Sequence, residues 1–294
     1  MAKSAVSKRL GALAVTALLL SAGICQATRL EHVASHSTSA PVSDYQASVP
    51  PDRLALIIAN YGYADADTPP IQVRRDAEAL ANVLRKDSFV VDLVENATHA
   101  DMITAIERLK ARVRPNSIVF LYFGGYGVQS RDHDYMIPED AKIWRESDVR
   151  RDGLSVERVL SDLKESGPRI QIAVIDASRR NPYERRFRSY SHGLSPIQMT
   201  GDAIVLSSTA PDQVVDDFDA DDNPFMVALI HEMDSSPHPI NQVFEDTRAA
   251  VATRTENRQL PALSSTLREA VTLESPPSET PISSATPAEN PRRG

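Results

Sequence analysis

The sequence predicts an α/β fold: a mainly parallel sheet of about six strands with helices on both faces. Near-continuous apolar runs recur as RLALIIAN (Arg53–Asn60), FVVDLVE (Phe89–Glu95), SIVFLYF (Ser117–Phe123), IQIAVID (Ile170–Asp176) and AIVLSS (Ala203–Ser208), the pattern of strands buried on both faces. Segments of helical period separate them, as parallel strands joined by right-handed crossovers require. The chain has 294 residues, 41% of them hydrophobic, which suits one substantial core better than two.

Taken in order, Arg53–Asn60 is the first strand and Ile71–Lys86 the first helix, with Ala77, Leu80, Ala81 and Leu84 at helical spacing. Strand Phe89–Glu95 follows. Thr98 with Asp101 resembles a capping box, opening a helix whose inner face is Met102, Ile106, Leu109 and Val113 and which stops before Pro115. The strand Ser117–Phe123 runs into Gly124-Gly125-Tyr126-Gly127, a tight turn from which Tyr126 projects at the carboxyl edge of the sheet. Arg131-Asp132-His133-Asp134 is a turn signal, followed by a short returning strand at Tyr135–Ile137. Ser155 caps a helix bearing Val156, Val159, Leu160 and Leu163. The strand from Ile170 ends in Asp176-Ala177-Ser178-Arg179, and its polar end is expected to face the Tyr126 turn. Asn223-Pro224 is a cap and first-turn pair for a helix with Phe225, Ala228 and Leu229 inward. Ile240, Val243, Phe244, Thr247 and Val251 mark one more helix, and a short strand is expected near Ala262.

The termini differ from this core. Lys3, Lys8 and Arg9, then an apolar run Leu10–Leu20, then small residues up to Ala27, read as a secretory signal peptide over residues 1–27. The run is too short for a membrane span, which needs on the order of 18 apolar residues. Residues 28–52 read as a flexible linker, 53–268 as the folded domain, and 269–294 as a disordered Pro/Ser-rich tail. A periplasmic or secreted location is expected. The only cysteine, Cys25, lies in the signal segment, so a chain cleaved after Ala27 has no thiol for a disulfide, a metal or a nucleophile. The net charge is −8, and cleavage would remove three positive charges and leave −11. That balance argues against nucleic acid as a partner and favours basic ligands.

The two strand ends carry the functional signal. Gly125-Tyr126-Gly127 and Asp176-Ala177-Ser178-Arg179 resemble the paired signatures Gly-His-Gly and Asp-Ala-Cys-Arg of caspase-like cysteine proteases (peptidase C14), particularly the bacterial metacaspase-like proteins called orthocaspases. The resemblance covers Arg53 to Leu267 and implies the caspase-like fold. It also implies that Tyr126 and Ser178 stand at the positions of the catalytic histidine and cysteine. A serine hydroxyl needs a base in the transition state, and a phenol with a pKa near 10 is a poor one at neutral pH. The expectation is therefore a pseudoprotease. One alternative is an active endopeptidase with Ser178 as nucleophile and a borrowed base, for which His133, His99 and His192 are the candidates. Another is an adaptor module with a vestigial cleft.

In metacaspase-like proteases an acidic pocket takes an Arg or Lys side chain, and the matching carboxylates here are Asp76 and Asp176. Arg75 replaces the family's asparagine beside the first of them, and it is expected to compete for the pocket. The bland readings are a helix-start charge for Asp76 and a strand-end acceptor for Asp176. The run Asp216–Asp222 invites a calcium site, but it lacks the glycine of an EF-hand loop, and Ala228 stands where the bidentate glutamate belongs. No cofactor is expected there, with calcium as the alternative. Many metacaspases bind calcium at another acidic cluster, for which the corresponding stretch is Val149-Arg150-Arg151-Asp152. The arginines between Arg179 and Arg188 read as a loop. The expected partner is a peptide or protein with Arg or Lys side chains.

Overall fold

The computed structural model describes residues 52–64, 70–131, 133–177, 199–211, 223–235 and 238–273, together with Tyr183, Leu194, Pro196, Ile197, Gln213 and Val214. In chain order the elements are β1 (Arg53–Ala59), α1 (Gln72–Lys86), β2 (Val90–Glu95), α2 (His99–Arg112), β3 (Ile118–Gly124), β4 (Gly127–Ser130), β5 (His133–Met136), α3 (Glu146–Asp152), β6 (Leu154–Ser155), α4 (Val156–Glu165), β7 (Ile170–Asp176), β8 (Ala203–Ser207), α5 (Pro224–Ser235), α6 (Ile240–Arg254) and β9 (Ala262–Ser265). The main sheet has the order β2-β1-β3-β7-β8-β9, parallel except for β9. This is the six-stranded, mainly parallel sheet that the sequence predicts.

The central strands β1, β3 and β7 are buried along their whole length, because helices cover both faces of the sheet. On one face α1, α5 and α6 pack around Leu80, Phe120, Tyr122 and Phe244; on the other, α2 and α4 pack around Met102, Leu121 and Ile175. A strand with no solvated face has no reason to alternate polar and apolar residues, which explains the continuous runs. The Thr98–Asp101 capping box forms: the Thr98 hydroxyl accepts the Asp101 N–H and the Asp101 carboxylate accepts the Thr98 N–H. Ser155 accepts the Arg158 N–H at the start of α4.

Three features depart from the sequence reading. His133 and Asp134, expected in a turn, begin β5, which pairs with β4 and β6 in a separate three-stranded antiparallel sheet. Arg131, with φ of 57°, carries the bend instead. Second, the folded domain extends past residue 268: Val271 and Leu273 are buried, and the Val271 carbonyl accepts the Ile240 N–H at 2.7 Å. That segment has apolar residues at every other position, too short a pattern to register against the polar tail.

The third departure is α3, a helix of only two turns with no long apolar period to announce it. Its amino end is organised by the buried Asp148, which accepts the N–H groups of Trp144 (3.1 Å) and Arg145 (3.0 Å) and pairs with Arg151 (2.7 Å). The Trp144 N–H, then that of Arg145 and the Arg151 guanidinium, hold this carboxyl below the usual carboxylate range against the opposing effect of burial. A depressed folded pKa contributes stability above the unfolded value near 4 and loses it as pH falls through the folded value. Asp148→Asn is therefore expected to lower stability at pH 7, with the difference from wild type shrinking below about pH 4. Urea unfolding at several pH values checks this, and a pH-independent difference would assign the effect to packing.

Candidate functional site

The carboxyl ends of β3 and β7 meet as expected. Gly124 is in register with Asp176, and the chain beyond stays close: Gly125 N–H donates to the Asp176 carbonyl at 3.3 Å and Gly127 N–H to that of Ala177 at 2.8 Å. The glycines are needed for this approach. A Cβ at Gly127 would stand 2.8 Å from the Ala177 oxygen, and one at Gly125 would stand 2.6 Å from the Tyr63 hydroxyl, both inside contact distance. Position 126 is thereby fixed beside the chain that leads into Ser178. Ser178 itself lies outside the described residues.

Tyr126 is 4% exposed, so it fills space rather than projecting into solvent. Its ring lies 4.8 Å from that of Tyr63, tilted by 60°, the offset geometry that aromatic pairs favour. The Tyr63 hydroxyl accepts the Tyr126 N–H at 3.1 Å and donates to the Ile137 carbonyl at 2.8 Å, while the Ile137 N–H donates to the Tyr126 carbonyl at 3.0 Å. Tyr63 was not recognisable in the sequence as a partner of this turn, since it sits in the loop after β1 with no local pattern around it.

Asp76 and Asp176 are brought together, although they come from different elements. Asp176 ends β7 and is 3% exposed. Asp76 is half-buried and lies in the second turn of α1, past the first-turn positions where the helix dipole favours an acid. One nitrogen reaches both: Asn223 Nδ2 donates to Asp76 Oδ2 at 3.0 Å and to Asp176 Oδ2 at 2.9 Å. Asn223 precedes Pro224 as the helix cap expected from the sequence, and its Oδ1 accepts the Met226 N–H at 3.4 Å. This bond orients the amide, because the opposite flip would aim an oxygen at two carboxylates. The second role of Asn223 carried no sequence signal, as it spans 147 and 47 positions to its two partners.

Beside this bridge lies an open depression of about 520 Å³ lined by Arg75, Asp76, Asn223, Val227, His231 and Asp234 among others. Arg75 is exposed and lines the same depression, and the amide that donates to both carboxylates is that of Asn223. Asp234 pairs with Lys86 at 2.7 Å. The Asn223 amide donates to both carboxylates as a neutral group and adds no positive charge of its own.

The other sequence candidates fall elsewhere. His133 is exposed on β5, 3.8 Å from the Glu157 carboxylate. His99 opens α2 with its N–H on Asp140. His192, the acidic run Asp216–Asp222 and the arginines from Arg179 to Arg188 lie outside the described residues. In the 149–152 stretch Arg151 engages both Asp148 and Asp152, and Arg150 engages Glu146. Among the described residues no group of three or more His, Cys, Asp or Glu side chains is placed to hold a metal ion. None of the described helices is long and apolar enough to cross a membrane.

Comparison with known proteins agrees with this architecture. Over 135 residues the chain is 26% identical to the human mucosa-associated lymphoid tissue lymphoma translocation protein 1 and equally to its mouse homolog, a stretch that is 45% of this chain and 16% of each relative. The match thus spans about a sixth of the length of those proteins. The model of the peptidase C14 caspase domain matches residues 52–272, which takes in both sheets, the six helices of the described residues and the paired strand ends. The chain belongs to the caspase domain family.

Proposed function

We propose that this protein is an exported caspase-like pseudoprotease that binds Arg- or Lys-containing peptide segments of a partner through its acidic cleft. The observation that carries the reading is the convergence of Asp76 and Asp176 on a single amide nitrogen. The pair is drawn from α1 and β7 at the edge where ligands bind in parallel α/β sheets, and carboxylates held close together there favour a cationic ligand. A guanidinium or ammonium group gains charge-assisted hydrogen bonds to such carboxylates. The inactive character rests on Tyr126 and Ser178 at the positions of the family dyad. A buried phenol is a donor at neutral pH and does not take a proton from a hydroxyl.

Calorimetric titration of the purified chain with short Arg-containing peptides tests the binding half. Affinity is expected to fall with rising salt and to drop at least about tenfold in Asp176→Asn, the loss of one charged hydrogen-bond partner. Arg75→Asn is expected to strengthen it, because a positive charge leaves the rim. Affinity unaffected by Asp176→Asn would assign both carboxylates a structural role and put the adaptor reading first.

A further inference from the structure

β2 (Val90–Glu95) forms one edge of the main sheet: β1 lies on its inner side, and among the described residues no strand lies on its outer side. The strand is six residues long, and Val90 is 51% exposed. Which backbone groups face outward follows from the ladder. The Asn96 N–H donates to the Ala59 carbonyl at 2.9 Å, and Ala59 stands opposite Glu95. Alternation then turns the N–H and C=O groups of Asp92 and Val94 towards β1 and those of Val91, Leu93 and Glu95 outward. A row of this kind is a template for another strand unless lysine, proline or a bulge blunts it. β2 contains no lysine and no proline. Its two acids are engaged within the chain, Asp92 by Arg108 at 2.8 Å and Glu95 by the Tyr61 hydroxyl at 2.9 Å.

We propose that the β2 edge is a dimerisation surface for a second copy of this chain, joining two six-stranded sheets into one of twelve strands. A two-fold axis that relates identical edge strands pairs them antiparallel, with the same patch on both copies. The ladder closes only where outward-facing residues of one copy oppose outward-facing residues of the other. Two such registers overlap five of the six residues. The one centred on Asp92 sets that carboxylate against its own copy, and like charges directly opposite are destabilising. The one centred on Leu93 pairs Val91 with Glu95 of the second copy, Asp92 with Val94, and Leu93 with itself. No acid then faces an acid, the two Leu93 side chains meet on one face, and the three outward pairs exchange two hydrogen bonds each. The charge pattern of the strand is thus complementary to itself in this register alone of the two. Edge pairing is a small contact, at the weak end of specific interfaces, so association is expected in the micromolar range.

Sedimentation equilibrium of the purified chain across the micromolar range is expected to show monomer and dimer exchanging. Glu95→Pro removes one outward N–H from each copy and no bond to β1. Leu93→Lys sets two ammonium groups face to face. Each is expected to weaken association at least about tenfold, with thermal unfolding confirming that the variant is folded. Should Leu93→Lys fail to fold, because that side chain also packs against the core, Glu95→Pro decides. Cross-linking reads the register. In a Cys25→Ser background, which has no other thiol, Leu93→Cys is expected to give a disulfide-linked dimer under oxidised glutathione, since position 93 faces itself within the Cα separation that a disulfide spans. Val91→Cys is expected to give none, because position 91 faces position 95. A dimer that neither Glu95→Pro nor Leu93→Lys weakens uses another surface and overturns the proposal. A chain that stays monomeric throughout also overturns it and leaves the edge to an extended segment of another protein. A cross-link at position 91, or at neither position, overturns the register.

Discussion

The double variant Tyr126→His/Ser178→Cys is expected to cleave Arg- or Lys-terminated peptide reporters that the wild-type chain leaves intact, at a rate roughly a hundredfold or more above either single variant. A cysteine becomes a strong nucleophile as its thiolate, and an adjacent imidazole both favours that form and returns the proton to the leaving group. Neither group does the other's work, so the gain is expected only when both are present. The backbone at the turn favours the outcome: the bond from Gly127 N–H to the Ala177 carbonyl holds position 126 against the residue that precedes Ser178. The cost is packing. An imidazole is smaller than the buried phenol it replaces and loses part of the contact with Tyr63, about 1–3 kcal/mol of stability. A folded but silent double variant would mean that other parts of the site have been lost too. Turnover by wild type that Ser178→Ala abolishes would overturn the pseudoprotease reading outright.

The second large effect concerns Asn60, at the end of β1. Its side chain is fully buried: Nδ2 donates to the carbonyls of Ala97 and Ile137, both at 3.2 Å, and Oδ1 accepts the Ala97 N–H at 2.8 Å. Three loops at the carboxyl edge of the sheet are tied by this one amide, including the segment whose Ile137 N–H holds the Tyr126 carbonyl. Asn60→Leu conserves volume and removes every one of these bonds, leaving a buried N–H without its acceptor. A loss of roughly 2–4 kcal/mol is expected, which lowers Tm by about 4–16 °C for a domain of this size. Chemical unfolding with an unchanged m value checks it. A loss under about 0.5 kcal/mol would show that water replaces the amide without penalty and that the edge is held by other contacts.

Much of the fold is legible in the sequence. Strands β1, β3 and β7 appear in the sequence as uninterrupted apolar runs because both of their faces are covered. The inner faces of α4 and α6 contain all the residues expected there, since helical periodicity records which side meets the core. The Thr98 and Ser155 caps could be read because a cap and its partner lie three residues apart. The candidate site was legible in part: the resemblance to the caspase-like family named Tyr126, Asp76 and Asp176, each of which sits in a short stretch matching a family motif.

What the sequence by itself determined, then, is the order and type of the main elements and the residues at the strand ends, all of which depend on neighbours within about one turn or one strand. Tertiary structure alone decided the partners. Asn223 meets Asp76 and Asp176 because the sheet places β7 beside β3 while α1 and α5 pack on the same face. Tyr63 meets Tyr126 because the loop after β1 closes over the end of β3. The same holds for α3 and the β4–β5–β6 sheet, whose elements are too short to bury a periodic face of their own and exist by packing on what surrounds them. Periodicity encodes which face of a segment is buried, whereas a side-chain bridge between segments is set only when the chain closes on itself.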